Sequence, residues 1–431
     1  MLVAVLIAAF MLLLCLTAPL AVAMGMGATI ALAIDGSVPL FVVVQRMFGG
    51  ADSFVLLAIP FYILAGNLME SAGISERLVS LARTFVGHIR GSIGMVTVVA
   101  EYFFSGISGS AMADVSAIGS LLIPAMRRAG YRASQAVAIV AAATAMGSLV
   151  PPAIAMIVLA AIMEISVGAL FVSGFLPAAV SALVIMLLIY LHARRSALAV
   201  YKRASLRELA LVLKDASLAL LMPIIIFGGI FSGIYSATEA GAIACWYALV
   251  VGMFVYHTIK PRDVMQIIIK TGLMTGMVML LVSTATIFSW ILVTQQVPQR
   301  LGDLVFSATR SPMFFLAMAC LVFMILGGLL EGIPALIILV PIFAPLAQRF
   351  DIHPLHFAIV VYFASQIGLF LPPFGIGLLL SCALGQITIE EATPSFLPFL
   401  VALCVGLVLV TVFPWLTLVL PSVFGMMSGG R

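Results

Sequence analysis

Apolar runs of about twenty residues recur from one end of the chain to the other, and each could cross about 30 Å of hydrocarbon. A helix satisfies its own backbone hydrogen bonds in lipid, and the runs show no strand-like alternation. The composition agrees, because 64% of the residues are hydrophobic and only 8% are charged, against about 25% charged in a soluble domain. The sequence therefore predicts an all-α polytopic protein embedded in a lipid bilayer.

The charges and cysteines exclude several classes of function. The net charge of +4 is small and comes from residues between the apolar runs, so it indicates membrane topology and not nucleic-acid binding. The five cysteines lie inside apolar stretches without ligand spacing, which predicts neither disulfides nor a metal cluster. Ala21-Val22-Ala23 resembles a signal-peptidase site, but no basic residue precedes Arg46. We therefore expect the first span to be retained.

The two halves of the chain are related at an offset of 221 residues. Gly147 precedes the pair Pro151-Pro152, and Gly368 precedes the pair Pro372-Pro373 at the same spacing. Other features that match at this offset are Pro124 with Pro345, Arg128 with Arg349, and Phe175-Leu176-Pro177 with Phe396-Leu397-Pro398. A single offset that aligns several separated features without a gap predicts an internal duplication.

The distribution of basic residues indicates that the second copy is inverted in the membrane. Arg127, Arg128 and Arg132 follow a polar insertion in the first half, whereas Arg349 in the matching loop is balanced by Asp351. By the positive-inside rule these loops lie on opposite sides, and the basic linker at 194–215 is cytoplasmic. Three spans precede each insertion, near 1–20, 21–44 and 53–70, then near 216–236, 238–258 and 271–296.

Each polar insertion is predicted to be the tip of a re-entrant helical hairpin. The first, "FSGISGSAMADVS" at 104–116, lies midway between Arg90 and Arg127, and its arms are too short to cross and return. The second hairpin runs from about 312 to 349, with its tip "GGLLEGIP" at 327–334. Irregular backbone at membrane depth is tolerated only inside protein or beside an aqueous cavity.

The two Pro-Pro pairs predict two broken helices. Proline lacks an amide donor and pushes the preceding residue out of helical geometry, which frees the carbonyls of 147–150 and 368–371. Unwound carbonyls coordinate cations, and helix N-termini favour anions. Hairpin tips and broken helices in corresponding positions of an inverted repeat therefore indicate a transport site near the membrane midplane.

Several of these segments resemble the large membrane subunit of tripartite ATP-independent periplasmic (TRAP) transporters. The segments are "GISGSAMADVSAIGSLLIPAM", "GSLVPPAIAMIV", "GGIFSGIYSATEAGAIA" and "IGLFLPPFGIGLLL". The resemblance implies a secondary transporter of the bacterial inner membrane that imports organic anions by an elevator motion. It also implies sodium as the coupling ion, no organic cofactor, and two partners, a small four-helix membrane subunit and a periplasmic substrate-binding protein.

The resemblance also implies sites for sodium and substrate. The sodium residues that it implies are Ser108, Ser110, Gly147, Val150 and Pro152 for the first site, and Gly328, Gly368, Leu371 and Phe374 for the second. Ser110 and Glu331 would meet the substrate, while Asp114 either contacts the same site or caps the following helix. This chain has Leu371 where the family usually has threonine, and Glu331 where it usually has aspartate.

The hairpins and broken helices, residues 91–167 and 312–386, are expected to form a transport domain that slides against a scaffold. The scaffold would contain 1–90 with a surface helix, 168–311 with the linker 194–215, and 387–431. Glu239 is predicted to stabilise a helix start, and the role of Glu101 stays open.

Two other functions were weighed. The first is a carrier or channel that needs no binding protein. The second is an intramembrane serine protease, suggested by Gly106-Ile107-Ser108-Gly109. A protease needs a histidine beside the serine, and the five histidines lie at span ends or in loops. The preferred function is therefore import of a substrate without any covalent reaction.

Overall fold

The structure is a computed structural model that describes residues 1–194, 201–330 and 332–426. Within these residues the chain forms α-helices and no β-strand, and eight of the helices are long and apolar enough to cross a membrane. The helices of the first half are α1 Leu2–Cys15, α2 Leu20–Asp35, α3 Phe41–Ala51, α4 Ala58–Ser71, α5 Ile74–Val86, α6 Ser92–Ser108, α7 Ala111–Arg128, α8 Ala133–Gly147, α9 Ile154–Met163 and α10 Val167–Ala193. Those of the second half are α11 Leu206–Phe231, α12 Ala237–Val250, α13 Pro261–Thr294, α14 Val297–Ala308, α15 Pro312–Leu330, α16 Gly332–Arg349, α17 Pro354–Gly368, α18 Ile376–Gly385, α19 Ile389–Val412 and α20 Trp415–Val423.

Helix bounds recur at the offset found in the sequence. The bounds of α16 lie 221 residues after those of α7, at both ends, and the bounds of α17 follow those of α8 in the same way. The peptide bonds Pro151-Pro152 and Pro372-Pro373 are both cis, which extends the correspondence to the backbone between the helices.

The first polar insertion is the turn between two contacting helices. Helix α6 ends at Ser108 and α7 begins at Ala111, so only two residues connect them. Gly109 has φ +66°, a left-handed conformation that glycine adopts without the strain a side chain adds. Ser110 takes an extended conformation as the N-cap of α7. In the second half α15 and α16 contact each other in the same order, on either side of position 331.

The broken helices occupy the centre of the molecule. Helix α8 ends at Gly147, six non-helical residues follow, and α9 begins at Ile154. The α17–α18 break has the same form, and every residue of α17 from Leu355 to Gly368 is buried. Both interruptions lie where the prolines predict them, because the ring removes a donor and clashes with the preceding turn. The hairpins pack against this buried centre.

The remaining helices differ between the two halves in one place. Helix α13 is continuous over 34 residues, whereas the matching region of the first half is split into α3 and α4 around Asp52 and Ser53. The sequence analysis placed a single span near 53–70 and missed α3. Asp and Ser side chains compete for nearby backbone groups and so favour a helix end at this point.

The linker predicted at 194–215 is shorter than expected. Residues 195–200 lie outside the described residues, and α11 already begins at Leu206. The Ser205 hydroxyl accepts from the Glu208 amide, and the Glu208 carboxylate accepts from the Ser205 amide. This capping box satisfies two free donors at the helix start and explains the early beginning of α11.

Candidate functional site

The first hairpin tip lies directly against the unwound segment of the first broken helix. A Cβ added to Gly106 would be 2.8 Å from the Pro151 carbonyl oxygen, and one added to Gly109 would be 3.1 Å from that of Pro152. The Gly109 carbonyl accepts a hydrogen bond from the Ile154 amide at 3.2 Å. Glycine is required at 106 because a side chain would separate the tip from the carbonyls.

The second tip approaches its broken helix in the same way. A Cβ on Gly328 would lie 2.8 Å from the Gly368 carbonyl oxygen, and one on Gly327 would lie 2.6 Å from that of Ser365. The Ser365 hydroxyl donates to the Gly332 carbonyl at 3.2 Å and so holds the start of α16. The structure therefore brings Gly328 and Gly368 together, as the sequence analysis expects of one site.

Several carbonyls of the unwound segments have no hydrogen-bond donor. Among the described residues, none donates to the carbonyls of Val150, Pro151 or Pro152, although all three residues are buried. Buried carbonyls are nearly always paired, so these three oxygens are available to a cation. In the second half the Leu371 carbonyl accepts from the Gly375 amide at 2.8 Å, and the Phe374 side chain is exposed.

A cavity of about 170 Å³ lies between the two hairpin tips. The starts of three helices reach it, namely α7, α9 and α16. Its lining residues are Gly109, Ser110, Ala111, Met112, Ile154, Ala155, Gly332, Ile333, Tyr362, Gln366 and Leu369. No charged side chain is among these described residues, and both halves of the chain contribute to the wall.

Asp114 faces the interior of the first hairpin and is not among the residues that line the cavity. Its carboxylate accepts hydrogen bonds from the hydroxyls of Ser105 and Ser108, and its side chain is almost fully buried. Ser108 also accepts from the Ser110 amide at 3.2 Å. Asp114 therefore joins the two arms of the hairpin, whereas Ser110 reaches the cavity.

Tyr362 and Gln366 line the cavity but were missed by the sequence analysis. They lie one turn apart on α17, and the Tyr362 hydroxyl donates to the Ser148 carbonyl at 2.8 Å, which connects the two broken helices. The residues 221 positions earlier are Ala141 and Ala145. These two residues could have been found from the sequence as positions at which a polar residue in one half matches an alanine in the other.

Two acidic residues outside the tips, Glu101 and Glu239, accept hydrogen bonds from neighbouring helix residues. Glu101 is fully buried, and its Oε1 accepts from the Thr144 hydroxyl at 2.6 Å. Glu239 accepts from the Ser236 amide at 2.7 Å in a capping box, in keeping with the predicted role at a helix start. Glu331 lies outside the described residues.

The geometry around Ser108 does not form a hydrolytic site. Its hydroxyl donates to Asp114, and no histidine of the described chain is bonded to it. His353 accepts from the Leu355 amide at 3.2 Å, and His356 is bonded to Thr417 at 3.0 Å. Neither histidine is available as a base at Ser108.

Comparison with known proteins agrees with this architecture. The chain matches the family described as "Tripartite ATP-independent periplasmic transporter, DctM component" over residues 7–416. The sialic acid TRAP transporter large permease protein SiaM of Vibrio cholerae is 40% identical over 380 residues, 88% of this chain and 89% of that protein. The C4-dicarboxylate TRAP transporter large permease protein DctM of Pseudomonas aeruginosa is 37% identical over 88% of this chain and 89% of that protein.

Two further comparisons concern chain organisation and fold. The isethionate TRAP transporter permease protein DctMQ of Oleidesulfovibrio alaskensis is 34% identical over 94% of this chain, but the match covers only 64% of that longer protein. The YdaH transporter of Alcanivorax borkumensis shares the fold, with a TM-score of 0.62 over 86% of each chain at 17% identity. These relatives are transporters and not enzymes. The chain belongs to the DctM component family of tripartite ATP-independent periplasmic transporters, as a large permease subunit.

Proposed function

We propose that this permease carries a small organic anion inward across the bacterial inner membrane, coupled to sodium, by an elevator motion. It would act together with a small four-helix membrane subunit and a periplasmic substrate-binding protein. The observation that carries the proposal is the cavity between the tips, where both halves of the chain meet and three helices begin.

The cavity suits an anion because of its helix starts. A helix N-terminus carries about half a positive charge and presents free amide donors. The starts of α7, α9 and α16 converge on a space in which no described side chain is charged, so backbone amides would hold a carboxylate. The names of three relatives support the class of substrate, since they refer to sialic acid, a C4-dicarboxylate and isethionate.

Sodium coupling is supported by the unpaired carbonyls. The buried carbonyls of Pro151 and Pro152 lie beside the first tip, and sodium bound there would draw the tip against the broken helix. The sites implied by the resemblance are Ser108, Ser110, Gly147, Val150 and Pro152, then Gly328, Gly368, Leu371 and Phe374. In the second site Leu371 can contribute only its carbonyl, which already accepts one hydrogen bond.

The elevator motion is supported by contacts that join the predicted moving parts. We propose that 91–167 and 312–386 form an inverted repeat and move as one body. Asp114 joins the two arms of the first hairpin, and Tyr362 connects the broken helices of the two halves. A charged solute crosses hydrocarbon only in a closed and neutralised pocket, and movement of the whole cavity with its ions meets that need.

Uptake of labelled acids into proteoliposomes tests this function. The vesicles would contain the permease, its small subunit and its cognate binding protein, with an inward sodium gradient imposed or omitted. We expect uptake that requires sodium and the binding protein and is lost in Ser110→Ala and in Glu331→Ala. Ser116→Ala is the matched control, because this exposed hydroxyl on α7 bonds only to the Met112 carbonyl.

Each alternative predicts a different result in the same assay. Uptake without the binding protein would favour the independent carrier, and uptake without a sodium gradient would refute sodium coupling. Equal uptake in Ser110→Ala and Ser116→Ala would refute a role of the first tip in the site.

A further inference from the structure

We propose that Gln366 selects the substrate by pairing its amide with an uncharged polar group of the anion, a hydroxyl or an acylamino group. This inference rests on the proposed function, because it places the anion in the cavity between the tips. The amide would act as a specificity determinant, while the helix starts hold the carboxylate or sulfonate.

The Gln366 side chain is buried but has no partner of its own. Only 3% of the residue is exposed, and the residue lines the cavity. Its amide makes no hydrogen bond to any residue that the structure describes. Buried amide groups are normally paired, and an unpaired one costs free energy unless water or a ligand completes it. Within the part of the chain that the structure describes, a water or ligand in the cavity can reach the amide, because Gln366 lines it.

The amide also has room because of the second hairpin tip. A Cβ at Gly332 would lie 2.9 Å from the Gln366 Nε2 atom, so any larger residue at 332 would press on the amide. Ser365, the preceding residue of α17, holds the Gly332 carbonyl through its hydroxyl. In the described part of the tip, Gly332 therefore lies beside Gln366 and leaves room for its amide.

The duplication shows why this residue would provide selectivity. Helix starts and unwound backbone occur in both halves and can bind charge in either. Gln366 and Tyr362 occur in one half only, because the matching residues are Ala145 and Ala141. The Tyr362 hydroxyl already donates to the Ser148 carbonyl. Of the two added polar groups, only the amide still has both a donor and an acceptor for a ligand.

The chemistry of an amide limits what it can recognise. A primary amide offers two donors and one acceptor oxygen, whereas a carboxylate only accepts. A hydroxyl or an acylamino group both donates and accepts, so it can satisfy both ends of the amide. A site with such a buried polar group discriminates against an analogue that lacks the partner, because its own group is then left unpaired.

The test measures uptake by the complete three-part transporter in proteoliposomes. The probes are three acids that carry hydroxyl groups, N-acetylneuraminate, malate and isethionate, and two counterparts without them, succinate and ethanesulfonate. The variants are Gln366→Ala, which installs the residue found at 145, and Gln366→Leu, which keeps the volume. The control is Gln348→Ala, at an exposed position of α16. The binding protein is the same throughout, so a changed ratio comes from the permease.

We expect the wild type to prefer a hydroxylated acid to its counterpart. Both Gln366 variants should lower kcat/KM for that acid about tenfold and leave the counterpart unchanged, with an unaltered melting temperature. Three results would overturn the role of Gln366 but leave the proposed function intact. They are an equal fall of kcat/KM for both acids, no fall for either acid, and a wild type without preference between them. A wild type that takes up none of the five acids would overturn the proposed function and this inference with it.

Discussion

Removal of the Tyr362 hydroxyl tests whether the two halves of the cavity are joined by one side chain. The hydroxyl donates to the Ser148 carbonyl at 2.8 Å, and Ser148 is 6% exposed. Tyr362→Phe removes an interhelical hydrogen bond, worth about 0.6 to 1.7 kcal/mol in membranes, and leaves a buried carbonyl unpaired. We expect a loss of about 1–2 kcal/mol in stability, which corresponds to a factor of about 5–30 in the folding equilibrium.

The matched control is Tyr62→Phe, in the part of the chain proposed as scaffold. The Tyr62 hydroxyl donates to the Ala237 carbonyl at 3.0 Å, between α4 and α12 and away from the cavity. Thermal unfolding of the purified transporter should show comparable destabilisation in both variants. Only Tyr362→Phe should raise KM for the anion, because only Tyr362 fixes the cavity wall. An unchanged KM in Tyr362→Phe, or an equal rise in Tyr62→Phe, would refute this reasoning.

Glycine substitutions test the contacts between tips and broken helices. Gly109→Ala should reduce uptake, because its Cβ would lie 3.1 Å from the Pro152 carbonyl oxygen. The control is Gly36→Ala. Gly36 has a similar φ of +63° but no atom near its Cβ position, so this variant should show the effect of backbone strain alone. A comparable loss of uptake in both would refute the contact. Gly328→Ala should raise the sodium concentration needed for half-maximal uptake, because its Cβ would lie 2.8 Å from the Gly368 carbonyl oxygen. The control is Gly276→Ala within α13, where the added Cβ meets open space, so this variant should be neutral or stabilising. An unchanged sodium requirement in Gly328→Ala would contradict the proposed role of the second contact.

The parts of the site that sequence reasoning found depend on local backbone chemistry. Gly147 and Gly368 end helices because the following Pro-Pro pairs cannot continue them, and Gly109 forms the tip because it tolerates a positive φ. Each effect acts within a few residues along the chain. The positions of the helix breaks and of the first tip could therefore be read from the sequence.

The parts that it missed depend on contacts between distant segments. Tyr362 bonds to a residue 214 positions earlier, and no pattern near either residue predicts that pairing. The search for a duplication favoured positions at which the halves agree, and so passed over Gln366, where they differ. Helix α3 was missed because it lies mostly between the spans predicted near 21–44 and 53–70.

Asp114 could either join the arms of the hairpin or neutralise a bound ion, and experiment can separate these two roles. Its carboxyl group accepts from Ser105 and Ser108 across the hairpin, and loss of an acceptor would leave these buried hydroxyls without a partner. If Asp114 only joins the arms, Asp114→Asn should retain part of the stability and of the uptake, and Asp114→Ala should lose both.

If the carboxylate instead neutralises a bound cation, Asn and Ala should abolish sodium-driven uptake equally, although Asn remains more stable. Asp303→Ala is the control for loss of a carboxylate, because its ion pair with Arg349 is exposed and worth at most about 1 kcal/mol. The hairpin contacts favour the graded result, because each carboxylate oxygen of Asp114 on α7 already accepts a hydrogen bond from a serine of α6 and so holds the tip closed. Equal loss of uptake in Asn and Ala, at unequal stability, would contradict a purely structural role and place Asp114 at an ion site.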